Sequence, residues 1–379
     1  MCEHCEDSAE RGFRFCRMCG EYLGEPGRKG FGGKNIGIVM KVGLLITLIC
    51  SVLLLMGIFV AFLKSGYVFE NLADATNSLV ILLPYPVAFA HISGAALQFY
   101  YVLLLITVLV SLILVFCKSY KPFVMLVNEK NAEPMKKTAL FELSVLFAVM
   151  YSISFIFIII LTASGTTVND PFEGYEPWVE IFTYLEASVW EEVVSRIMLI
   201  GVPMFILGVL LKGRTGTLCE PFDEMWSEPE GTAVASDGVT ENFADSTGDG
   251  NGGKKGIRWW NYLLGGTGLN YAALVLIVFS SMIFGLAHIP LWGVWKSFQT
   301  FIMGLIFGYV FTKYGVHAAI ALHFLADYLS SISWVSEPLI LIPGLATFAL
   351  MGLGAVYVYV YGERMINFIK RVKKDFKGE

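Results

Sequence analysis

Charge is what this 379-residue chain lacks. Asp, Glu, Lys and Arg make up 16% of it, against about 25% in ordinary soluble domains. That shortage excludes the two or three soluble domains that length alone would suggest. Basic aromatic grooves and basic helices are also missing, so nucleic acid is not an expected partner. No secretory signal is expected, because the sequence opens on a cysteine-rich polar segment. What fills the space is apolar: 56% of residues are hydrophobic and the mean hydropathy is +0.65. The net charge of −5 says little about partners, since the acids gather in one linker and the bases flank apolar runs.

Four stretches, 42–63, 94–117, 143–163 and 338–361, contain no charged residue. Each reaches the roughly 20 residues that cross a bilayer core. Backbone groups at that depth must pair internally, so helix is the expected conformation. The sequence predicts an all-α polytopic membrane protein of about eight transmembrane helices: 38–63, 94–117, 140–163, 178–211, 262–289, 297–312, 316–335 and 338–361. Residues 77–117 are uncharged but too long for one span, and Pro84 and Pro86 interrupt them. We therefore expect 78–92 to be a re-entrant or interfacial segment leading into span two.

Lys and Arg alternate by side. Arg28, Lys29 and Lys34 precede span one, five lysines lie between spans two and three, and Arg364 with five further bases follows span eight. The opposite loops hold only Lys64 and Lys296. The positive-inside rule then puts both termini in the cytoplasm of a multi-pass protein. The expected organisation is a zinc ribbon at 1–24, a linker at 25–37 and a membrane region at 38–212. A disordered acidic linker at 213–258, a second membrane region at 259–363 and a basic cytoplasmic tail at 364–379 follow. The acidic linker holds nine acids and four bases with almost no apolar periodicity. It reads as a spacer or a regulatory loop.

The N-terminus carries two C-x-x-C pairs, Cys2 with Cys5 and Cys16 with Cys19. Such turns aim two thiolates each at one point, and four thiolates close a tetrahedral structural zinc site. A cytoplasmic location keeps thiols reduced and disfavours the disulfide alternative. A ribbon this small folds only with its metal. It resembles short zinc ribbons at the ends of many archaeal and bacterial proteins, so a prokaryotic cell membrane is the expected setting.

Ionisable residues inside spans mark functional sites by default. In span four, WEEVVSR places Glu192 and Arg196 at i, i+4, the favourable order for an ion pair. Glu191 points about 100° away on an α-helix and is left without that partner. A carboxylate so placed suits a general base. Span five carries His288 in FGLAHIP, and span seven carries His323 and Asp327 one turn apart in HAAIALHFLAD. A carboxylate one turn from an imidazole fixes its tautomer. The alternative for each is a buried polar residue that only fixes packing. At about 1.5 Å rise per residue, Glu191, His323 and His288 lie roughly 20, 17 and 12 Å from the outer ends of their spans. One carboxylate and two imidazoles in one layer can hold a water, directly or through a divalent metal bound by Glu191, His288 and His323.

Taken in order, EExxxR (Glu191, Glu192, Arg196), FxxxH (Phe284, His288) and HxxxD (His323, Asp327) resemble the CPBP, or ABI, family of intramembrane proteases. That family comprises CAAX prenyl endopeptidases and bacteriocin-processing or immunity proteins. The resemblance covers roughly residues 140–335. It implies that Glu191 activates water, that Glu192 and Arg196 hold the helix, and that His288 and His323 stabilise the oxyanion, orient the water or bind a metal. It implies that Asp327 completes the site, although many members carry Asn there. The implied substrate is a peptide or membrane protein, prenylated in eukaryotic members, and the implied surroundings are membrane lipid. The ribbon lies outside the resemblance and is a candidate docking module for a protein partner. Two other functions fit the same residues: a non-catalytic scaffold or immunity-type protein, and an ion-coupled transporter. No internal repeat of the transporter kind is seen.

Overall fold

The computed structural model describes residues 33–83, 85–168, 171–172, 174–211, 258–331 and 341–377. The chain divides into two units, 1–40 with 223–255 and 41–222 with 256–379. The helices that carry the intramembrane polar residues belong to the second. The expected zinc ribbon, most of the expected acidic linker and the last residues of the tail lie outside the described residues.

In chain order the elements are α1 (Gly33–Leu63), α2 (Ser65–Leu72), β1 (Thr76–Leu83), β2 (Tyr85–Ser93), α3 (Gly94–Glu129), α4 (Glu133–Lys136) and α5 (Ala139–Ala163). Then come α6 (Pro177–Leu210), α7 (Trp259–Leu264), α8 (Tyr271–Ala287), α9 (Ile289–Trp292), α10 (Val294–Tyr314), α11 (Val316–Ser331) and α12 (Leu341–Lys377). The expected polytopic helical class holds. Among the described residues, seven helices are long and apolar enough to cross a membrane, one fewer than the eight expected. The exception is α11, with 16 residues. The rest of the expected span, 332–335, lies outside the described residues. The apolar residues of α11 from Ala318 to Leu325 are buried, so α11 is a core helix wrapped by its neighbours and need not match the lipid.

Local chemistry sets the element ends. Thr138 accepts from the Phe141 N–H at 3.2 Å and starts α5. Asn270 accepts from the Ala273 N–H at 2.8 Å and starts α8. The span expected from residue 262 is broken, because Gly265, Gly266 and Gly268 all take positive φ between α7 and α8. Helix α10 approaches α8 closely through small residues. A Cβ added at Gly304 would stand 3.0 Å from Ser281 Cβ, and one at Gly308 would stand 2.9 Å from Ile277 Cγ2.

Two features depart from plain helices. The expected re-entrant segment is an antiparallel hairpin, β1 with β2. A two-stranded ribbon is marginal by itself and here leans on helices. Helix α6 winds as π-helix over Ala187–Glu191, Val193–Gly201 and Ile206–Leu210. Wide π turns are rare and concentrate at functional sites. The first of these ends on Glu191 and the second begins just after Glu192.

Candidate active site

Helices α6, α8 and α11 gather Glu191, His288, His323 and Asp327 into one cluster, and Glu192 and Arg196 underpin it. Glu192 and Arg196 are both fully buried and their Oε2 and Nε atoms meet at 3.2 Å. The expected i, i+4 pair therefore forms although the helix is locally π. Glu192 also reaches across to α11, where its Oε1 stands 2.9 Å from His323 Nδ1. Arg196 Nη1 donates to Ser280 Oγ at 2.9 Å, and Ser280 donates to the Ser195 carbonyl at 2.6 Å. The guanidinium lies 5.3 Å from the Phe284 ring centroid and 5.9 Å from that of Phe307. Such contact stabilises a desolvated cation.

His288 caps the end of α8. Its Nδ1 lies 2.7 Å from the Phe284 carbonyl. A carbonyl only accepts, so the Nδ1 proton is committed there and Nε2 faces the cluster. His323 is held from both sides. Its Nδ1 meets Glu192, its Nε2 stands 3.2 Å from Asp327 Oδ2, and its ring stacks on Phe307 with centroids 4.7 Å apart. Carboxylates on both ring nitrogens ask for a proton on each.

Glu191 is set differently. Its Oε2 is buried and makes no hydrogen bond. It stands 3.9 Å from His288 Nε2 and 3.9 Å from His323 Nε2. Those separations are too long for direct hydrogen bonds and are of the size that one water bridges. The Glu191 side chain keeps 28% of its surface open, against 0% for Glu192, while its Oε2 atom itself is covered.

The donor set does not fit a metal as it stands. Among the described residues, no group of three or more His, Cys, Asp or Glu side chains has the spacing to hold an ion. His323 Nε2 is already turned to Asp327. Cys2, Cys5, Cys16 and Cys19 lie outside the described residues, and Cys50 and Cys117 are free thiols. His317 does not join the cluster, since its Nε2 meets Lys118 Nζ at 3.3 Å.

Residues 174–329 match the family model described as type II CAAX prenyl endopeptidase Rce1-like. The match is less than half of the chain, yet it runs from just before α6 to the end of α11 and includes Glu191, Glu192, Arg196, His288, His323 and Asp327. No curated protein matches the chain, and no solved structure does.

Sequence reasoning missed Ser280 and Phe307. Both look like ordinary span residues, and only the fold reveals that one ties Arg196 to α8 and the other backs the His323 ring. Trp190, the first residue of WEEVVSR, also carried no signal of its own. Its indole N–H donates to the Val80 carbonyl in β1 at 2.7 Å.

Proposed function

We propose that this protein is an intramembrane endopeptidase that hydrolyses a peptide bond with a water activated by Glu191. The observation that carries the reading is Glu191 Oε2, a buried acceptor without a hydrogen bond, 3.9 Å from each of two imidazole Nε2 atoms. The match of 174–329 to a prenyl endopeptidase model supports the reaction class. The substrate class is a peptide or a membrane protein.

In this reading one water sits between Glu191 Oε2 and the two histidines. Glu191 takes a water proton as general base while the water oxygen bonds to the scissile carbonyl carbon. His288 has its Nδ1 proton on the Phe284 carbonyl, so its Nε2 accepts the second water proton as a hydrogen bond and fixes the water's orientation. His323, with protons directed to Glu192 and Asp327, is the nearest cation to the developing oxyanion and stabilises it. The C–N bond then breaks, and Glu191 returns its proton to the leaving amine. Glu192 and Arg196 touch neither water nor substrate and are positioning residues. Asp327 holds the His323 ring and its proton.

Cleavage of peptide substrates by purified protein tests this. Glu191→Gln, His288→Ala and His323→Ala should each abolish turnover in folded protein, and undiminished turnover in Glu191→Gln sinks the proposal. The same reading keeps the N-terminal zinc, held by Cys2, Cys5, Cys16 and Cys19, as a structural site. Metal analysis of the full-length protein should find one zinc that Cys16→Ser loses. It also keeps both termini in the cytoplasm, which cysteine-accessibility labelling at each end checks.

A further inference from the structure

The β1–β2 hairpin has no part in the hydrolysis above, yet it is tied to the residue next to the general base. Besides the Trp190 to Val80 hydrogen bond, the Trp190 ring stacks on Phe89 with centroids 6.1 Å and planes 24° apart. A second tie lies one turn earlier on α6, where Glu186 Oε1 accepts from Asn77 of β1 at 2.5 Å. The strand register slips at this point. Leu79 faces Ala90 and Val80 faces Ala88, which leaves Phe89 as the extra residue. Bulges of this kind re-aim a side chain beside a site, and here the re-aimed ring is the one that meets Trp190.

Depth makes the placement informative. Trp190 is thirteen residues into α6, about 20 Å from its start at a rise of about 1.5 Å per residue. Strand backbone at that depth persists only where protein buries it or where it lines a watered cavity. Protein does not bury β2: Tyr85, Val87 and Phe89 are 54%, 50% and 54% exposed. The sheet has two strands among the described residues, so each strand has an outer row of N–H and C=O groups. A lipid chain would cover the apolar side chains and leave that row unpaired. An extended peptide backbone pairs it.

We propose that the hairpin positions the substrate: a stretched segment of the peptide joins its open edge as a third strand, and the Phe89–Trp190 lock sets which bond of that segment meets Glu191. The inference rests on the endopeptidase reading and adds to it the shape of the bound substrate. Backbone pairing gives affinity with little demand on sequence, and alternate side chains supply selectivity. Trp190 is a positioning residue that acts through Val80 and Phe89.

The probe is a pool of dansylated apolar peptides, each made in parent form and singly N-methylated at successive amides. Binding is measured on full-length Glu191→Gln protein, and cleavage on protein with Glu191 intact. N-methylation should weaken binding about ten-fold at every second position and little between them. Trp190→Phe, which keeps a ring and loses the N–H, should raise KM about five-fold with kcat held. Phe89→Ala should move the cleaved bond, read by mass spectrometry, without shifting the melting temperature, because that ring is half exposed. Peptides that do not bind, N-methyl effects without a two-residue period, or unchanged KM and cut position in both variants would overturn the inference. Cleavage that survives in Glu191→Gln counts against the hydrolytic mechanism alone, since the binding pattern still reports on the added strand.

Discussion

Two buried carboxylates on successive membrane helices show opposite uses of the same group. Glu142, near the start of α5, is saturated. Its oxygens accept from Tyr309 at 2.6 Å, from Lys313 at 2.9 and 2.7 Å, and from Tyr314. It joins α5 to α10 and has nothing left to offer a substrate. Glu191 Oε2 has no hydrogen bond and two histidines just out of direct reach. Buried acceptors are normally satisfied, so saturation marks a staple and an unmet acceptor in a partly open cluster marks chemistry. Glu192 stands between the extremes. It is fully buried like a staple, but its partners Arg196 and His323 lie on two helices of the site.

The sharpest break of this comparison is kinetic. Glu191→Gln should cut peptide turnover by about 10²–10⁴-fold, the range of a lost general base, with an unshifted melting temperature. Glu142→Gln should leave turnover unchanged. The next effect is on stability. Arg196→Met strands Glu192 without its cation and should destabilise the protein by about 3–5 kcal/mol, measured by denaturant unfolding in detergent. Glu142→Gln should cost less, about 1–3 kcal/mol, because Lys313 is 33% exposed and water can take it up. If the two stability losses are equal, the contrast between site and staple fails. The smallest effect is expected at Asp327→Asn. The amide oxygen can still accept from His323 Nε2, so kcat should fall no more than about five-fold.

Much of the site could be read from the chain itself. Charged and polar residues in apolar runs are conspicuous, and their order across three spans carried the family resemblance. The i, i+4 spacing anticipated both Glu192–Arg196 and His323–Asp327. The hairpin was not legible, because 79–90, the centre of both strands, is apolar throughout and lacks the alternation that separates strand from helix. Its two prolines signalled only an interruption. The burial of α11 was not legible for a related reason. Hydropathy measures a helix against lipid, while α11 is surrounded by protein.

Sequence alone decided that this chain crosses a membrane several times and carries acid and imidazole groups at similar depth, because hydropathy and helical spacing are local properties of the chain. Which of those groups would be satisfied was decided only by tertiary packing. Glu192 reaches His323 on another helix, the Phe284 carbonyl fixes one histidine and Asp327 the other, and the hairpin locks onto Trp190 across 110 residues of chain. A hydrogen bond between distant segments depends on where helices cross, and no local pattern encodes that crossing.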